Sequence, residues 1–90
     1  MYYLITYDIS DNKTRKKIEK LLSSYGYRVN YSVFEIESTK NSFDSIIKEL
    51  KEITKDGDRD IRVYVLNKDV IKNSFTLNSR DIFDGKELYF

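Results

Sequence analysis

Apolar residues in YRVNYSVFEIE (residues 27–37) alternate through Tyr27, Val29, Tyr31 and Val33, then restart out of phase at Phe34 and Ile36. A period of two marks a strand with one buried face, and a one-residue shift turns every later side chain to the other face. One uninterrupted strand therefore cannot run through the segment. The slip requires either a bulge or a tight hairpin near Ser32. No glycine and no Asn-Gly pair marks a two-residue turn there, so both readings stand. With a hairpin the segment supplies two antiparallel strands, and this choice controls the topology of the whole chain.

The flanking segments are simpler. YYLITYD (2–8) is β-branched, aromatic and almost continuously apolar, as expected of a buried strand. SDN (10–12) offers helix N-caps, Ile18, Leu21, Leu22 and Tyr25 follow at helical spacing, and Gly26 stands where that helix is expected to end. Ser38 or Thr39 begins a second helix with Phe43, Ile46, Ile47, Leu50 and Ile53 on one face. DGDRD (56–60) is a turn, and IRVYVL (61–66) is a strand with Ile61, Val63 and Val65 on one side. The order βαββαβ predicts an α+β, ferredoxin-like domain with both helices on one face of the sheet. Residues 1–66 form its core, and KELYF, in the C-terminal segment 67–90, is expected to add a further strand to an edge of its own sheet or a partner's. The opposite face has no cover in this arrangement. Tyr2, Tyr3, Tyr7, Tyr31 and Tyr64 recur in the strands, and tyrosine combines apolar area with a hydroxyl that tolerates water. A ninety-residue chain buries only roughly two-thirds of its unfolded surface, so a homodimer through that face is expected.

Composition narrows the chemistry. Cysteine is absent, which removes disulfides, thiol nucleophiles and thiolate metal sites. Histidine is absent as well, and with it the usual acid/base group near neutral pH. Catalysis must use carboxylates, lysine, tyrosine, serine or a bound metal. No apolar run approaches a membrane span and no basic leader precedes the first strand, so a cytoplasmic location without membrane attachment is expected. The net charge is +1, but residues 1–30 carry six basic and three acidic groups, and residues 31–60 carry five and eight. Such clustering can act on a partner when the total is near zero.

Three features of the first third carry chemistry. Asp8 ends the strand expected to be central, on the same face as Leu4 and Thr6. From spacing alone it reads as a turn carboxylate accepting backbone N–H groups. A two-fold axis beside it would bring up a second identical carboxylate, and such a pair repels unless it holds a proton or a cation. Lys13, Lys16, Lys17 and Lys20 form a stripe opposite the apolar helix face, the form of a solvated surface and also of a phosphate-tracking helix. Arg15 borders the apolar stripe on the other side, suited to a bidentate pairing with phosphate or with Asp8 or Asp11. No phosphate-cradling glycine loop and no RNA-recognition aromatic motif occur.

Residues 3–37, YLITYDISDNKTRKKIEKLLSSYGYRVNYSVFEIE, resemble the small CRISPR spacer-acquisition proteins, the lesser of the two CRISPR adaptation proteins. The likeness rests on a first strand ending YDIS, a helix with arginine in its first turn closing on SYG, and then RV-polar-YSVFE. Asn30 departs from it, because the family usually has glutamine there. The resemblance implies a ferredoxin-like homodimer whose last strand adds to the partner's sheet. It implies one magnesium ion shared by two Asp8 residues, with Asp8 and Arg15 catalytic in cleavage of single-stranded RNA or double-stranded DNA. Tyr7, Arg28 and Phe34 would support the site or contact nucleic acid, with Ser10 and Lys17 as weaker candidates. It also implies an integrase partner and a role in spacer integration. The non-catalytic alternative is an architectural bridge between integrase dimers, with the lysine stripe and Arg28 tracking DNA phosphates. A third alternative is a ferredoxin-like protein-interaction domain.

Overall fold

The computed structural model describes residues 1–78 and 81–85. Four strands, β1 (Tyr2–Tyr7), β2 (Gly26–Asn30), β3 (Val33–Glu37) and β4 (Ile61–Leu66), form one antiparallel sheet in the order β2-β3-β1-β4. Helices α1 (Asn12–Ser23) and α2 (Lys40–Ile53) provide the connections before β2 and before β4. This is the expected α+β, βαββαβ order. A short helix, α3 (Lys68–Asn73), and a single 3₁₀ turn (Ile82–Gly85) follow β4. KELYF (86–90), expected as an added strand, lies outside the described residues.

The phase slip contains both devices. β2 and β3 form a hairpin through a two-residue turn at Tyr31 and Ser32, and the register also shifts between Arg28 and Asn30, where Val29 is the extra residue. Gly26 is not the helix terminator expected. It opens β2 and packs against β3, where a Cβ would lie 2.3 Å from the Glu35 carbonyl oxygen and 2.6 Å from Ile36 Cγ1. Close approach of two backbones is the reason for glycine at this position.

Alternation along the strands sorts the side chains. Tyr3, Ile5 and Tyr7 of β1 and Phe34 and Ile36 of β3 join Ile18, Leu22, Ile46 and Leu50 of the helices in one core. Tyr3 and Tyr7 therefore belong to the helix-covered side, and only some of the strand tyrosines face the other way. That second face is not wholly open. Phe83 is buried against it, with its ring edge-on to Tyr2 at 5.1 Å and its backbone N–H donating to Glu35 Oε1 at 2.7 Å. Ile71 of α3 is also buried. No described helix is long and apolar enough to cross a membrane.

The helix starts follow local chemistry. Asp11 caps α1 by accepting the Thr14 N–H at 2.9 Å and the Thr14 hydroxyl at 2.7 Å, while Thr39 caps α2 through the Ser42 N–H. The Thr14 hydroxyl, then its N–H, and the nearby Lys13 and Arg15 charges hold the Asp11 carboxyl below its ordinary value of 3.8. A carboxyl lowered by folding stabilises the fold at pH above its unfolded value, and the stabilisation disappears as pH falls through the folded one. Asp11→Asn keeps a capping oxygen but no titratable group. The melting temperature of wild type is expected to approach that of Asp11→Asn as pH falls below 3.8, measured by circular dichroism in parallel acid series.

Candidate functional site

The carboxyl end of β1, the β2–β3 turn, the segment before β4 and the first turn of α1 meet at one end of the sheet. The Tyr7 N–H donates to the Ser32 carbonyl at 3.1 Å, and the Asp8 N–H donates to the Asp60 carbonyl at 2.9 Å. These two bonds tie the end of β1 to the hairpin on one side and to the DGDRD turn on the other. Asp8 lies between them, exposed.

The Asp8 carboxylate accepts no hydrogen bond from the described residues. The role that spacing alone suggests for Asp8, accepting backbone N–H groups in the turn, is therefore not seen among the described residues, and helix capping falls to Asp11 of SDN, three residues before the N–H it accepts. Asp8 is left available to a ligand. It borders two hollows. One, of about 470 Å³, is lined by Asp8, Arg15, Lys16, Glu19, Arg28 and Tyr31 among others. The other, of about 380 Å³, is lined by Thr6, Tyr7, Asp8, Asp60, Arg62 and Tyr64.

Arg15 reaches this place by an unexpected route. Its guanidinium donates to the carbonyl oxygens of Ile9 at 3.3 Å and Ser10 at 3.5 Å and to Asn12 Oδ1, so it braces the β1–α1 loop and makes no ion pair with Asp8 or Asp11. Carbonyls do not neutralise a guanidinium, and its charge remains available in the larger hollow. Ser10 contributes through its carbonyl. Arg28 donates through Nε and Nη2 to the Tyr31 carbonyl at 2.9 and 2.7 Å and pairs with Glu19 at 2.9 Å.

Two residues expected to support the site or contact nucleic acid lie beneath the surface. Phe34 is fully buried, and Tyr7 is 6% exposed. They stack on one another within the core at 6.4 Å between centroids, which leaves neither ring a surface to offer a nucleic acid. Burial raises the Tyr7 phenol above its ordinary value, which disfavours the phenolate a base would need, and its hydroxyl donates to the Tyr31 carbonyl.

The lysine stripe divides. Lys13, Lys16, Lys17 and Lys20 are all exposed, and none forms an ion pair with a described residue. Lys16 faces the Asp8 hollow, whereas Lys17 and Lys20 line a separate depression with Glu49 between the two helices.

Asp60, Arg62 and Tyr31 were not foreseen at this site. The β1–β4 register sets Tyr7 opposite Ile61 and Thr6 opposite Arg62, and its continuation sets Asp8 opposite Asp60. The second carboxylate is read only from that pairing, because a DGDRD segment looks like any polar turn. Directly opposed like charges destabilise a strand pair. Arg62 Nε stands 4.0 Å from Asp60 Oδ1 and offsets part of that repulsion. Among the described residues no group of three or more acidic, histidine or cysteine side chains is poised for a metal ion. A cation at Asp8 would take one or two carboxylates here and the rest of its oxygens from water or phosphate, a set that suits magnesium.

The family model described as "CRISPR associated protein Cas2" matches residues 1–73, which include every site residue named above. The chain belongs to the Cas2 family. Its similar relatives include a CRISPR-associated endoribonuclease Cas2 of Synechocystis sp., 43% identical over 65 residues, covering 72% of this chain and 71% of the relative. Another from Chloroflexus aurantiacus is 46% identical over 68 residues, covering 73% and 72%. Among solved structures, a chain of a partial Cas6-RT-Cas1–Cas2 complex superposes with a TM-score of 0.76 at 39% identity, covering 90% of this chain and 94% of that one. Streptococcus pyogenes Cas2 superposes with a TM-score of 0.72 at 34% identity, covering 87% and 100%. The CRISPR-adaptation resemblance seen in residues 3–37 therefore extends over most of the Cas2 fold.

Proposed function

We propose that this Cas2-family protein acts in CRISPR adaptation as a nucleic-acid-binding homodimer and cleaves phosphodiester bonds, single-stranded RNA first among them, with magnesium. The observation that carries the reading is the exposed Asp8 carboxylate at the end of a central strand, without a hydrogen bond from the described residues and bordered by Arg15, Lys16 and Arg28. The names of its relatives, CRISPR-associated endoribonucleases, support the reaction. Asp8, with its counterpart in a second copy, would hold the ion, and Asp60 lines the smaller hollow on the other side of Asp8. Bound there, magnesium would supply positive charge at the scissile phosphate and a more acidic water. Arg15 and Lys16 would hold the phosphate oxygens, and Arg15 would stabilise the charge that develops on them. Tyr7, buried and protonated, positions the hairpin and moves no proton. Incubation of purified protein with labelled single-stranded RNA should give cleavage that requires magnesium and stops with a chelator. Full-length RNA after prolonged incubation in magnesium would reject the catalytic part.

A second reading is an architectural role beside an integrase. The Cas1–Cas2 assembly that includes a similar chain supports it, as do the four lysines, none of them in an ion pair with a described residue. Phosphate contacts release counterions, so binding weakens with salt in proportion to the phosphates neutralised. Reversing Lys13, Lys16, Lys17 and Lys20 to glutamate should weaken duplex DNA binding and flatten its salt dependence, read from fluorescence anisotropy over a salt series. An unchanged slope would remove the stripe from the interface. The cytoplasm is the proposed setting, and the C-terminal segment is the proposed contact with the integrase.

A further inference from the structure

Tyr31 is 82% exposed, more than Phe75 at 79% or Tyr64 at 48%. A phenol ring left in water forgoes most of the hydrophobic gain available to it, yet the backbone beneath this one is held firmly. Its N–H donates to Asn30 Oδ1 at 2.8 Å, and its carbonyl accepts from Arg28 Nε and Nη2 and from the Tyr7 hydroxyl. Arg28 is anchored in turn by Glu19. The hairpin thus fixes where the ring starts while leaving its surface in solvent. The Arg28 guanidinium lies 5.7 Å from the ring centroid, within cation–π range. The residue also borders the hollow that contains Asp8, Arg15 and Lys16.

We infer that Tyr31 is a stacking platform for an unpaired nucleobase, so that the Asp8 hollow selects single-stranded nucleic acid. Phosphates held by Arg15 and Lys16 would bring a neighbouring base to the ring. Bases within a duplex are stacked on one another and offer no free face, whereas an unpaired base does. The inference rests on the nucleic-acid reading above and adds the residue that would take an unpaired base.

Tyr31→Ala is a mild change for the fold, because the hydrogen bonds at this residue are made by its backbone. Binding is measured by anisotropy without magnesium, using a short single-stranded RNA, an abasic strand of equal charge and a blunt duplex. Tyr31→Ala should weaken binding of the single-stranded RNA by about fivefold to 150-fold, and Tyr31→Phe should restore it. Affinity for the abasic strand and the duplex should stay within about twofold of wild type, since both are held by phosphate contacts. Equal single-strand affinity for wild type and Tyr31→Ala would overturn the inference while leaving the nucleic-acid reading intact. An equal loss on all three probes would also overturn it. If wild type binds none of the probes, the nucleic-acid reading itself fails, and the platform with it.

Discussion

Asp8→Asn is expected to slow magnesium-dependent RNA cleavage by about 100- to 1,000-fold, the scale of removing one well-placed electrostatic group from a reacting centre. Asparagine keeps the size of the side chain and one carbonyl oxygen but loses the charge that attracts a hard cation. The fold should be indifferent, because the carboxylate accepts no hydrogen bond from the described residues and is exposed. Its backbone N–H, which holds β1 to Asp60, is unchanged by the substitution. Melting temperature and oligomeric state should therefore match wild type while the cleavage rate collapses. Relief of repulsion against Asp60 would even favour the variant's stability slightly. Cleavage at the wild-type rate would trace the activity to a contaminant. Loss of cleavage together with unfolding would instead make Asp8 a structural residue. An adaptation assay in cells with the same variant separates the two functional readings, since a bridge needs the fold and the lysines but not this charge.

Phe34→Ala should have the largest effect on stability. Phe34 is fully buried at the centre of the core, in the strand adjoining β1, and its ring stacks on Tyr7. Truncation of a buried phenylalanine to alanine costs about 3–5 kcal/mol, from lost transfer energy and the cavity left behind. A domain of this length has on the order of 5–13 kcal/mol in total, so a large part of its stability would go. Urea denaturation should show a midpoint shifted far down with little change in slope. Activity measured at a temperature where both proteins are folded then separates packing from contact. Phe34→Leu, which refills most of the volume, should retain cleavage. Loss of cleavage by a well-folded Phe34→Leu would show that the aromatic ring itself is needed.

The order of elements was legible because each has its own period. YYLITYD is short and apolar throughout, the helices repeat near 3.6, and the slip in YRVNYSVFEIE demanded a break near Ser32. Whether the break was a bulge or a hairpin was not legible, because the turn has none of the glycine or asparagine-glycine chemistry that usually declares one. The structure uses both, with Val29 as the extra residue and Tyr31–Ser32 as the turn. The helix α3 escaped notice because six residues, with Ile71 as the buried one, carry too little periodicity to register. Gly26 follows a helical pattern closely enough to resemble its end, while its actual constraint is the neighbouring strand.

Composition alone limits which residues are able to do chemistry, since a chain without histidine or cysteine leaves carboxylates, cations and hydroxyls to bind or cut a phosphodiester. The sequence also marks Asp8, Arg15 and the lysine stripe as candidates, all within one strand-to-helix stretch. Which of them meet follows from the packing of the sheet. Pairing of β1 with β4 brought Asp60 opposite Asp8 at one hollow, and pairing of β2 with β3 set Tyr31 and Arg28 on the rim of the other hollow that Asp8 borders. The same packing withdrew Phe34 and Tyr7 into the core. Local patterns specify which face a side chain takes on its own element. Which distant element that face meets depends on strand order and register, and these are settled by burial across the whole sheet.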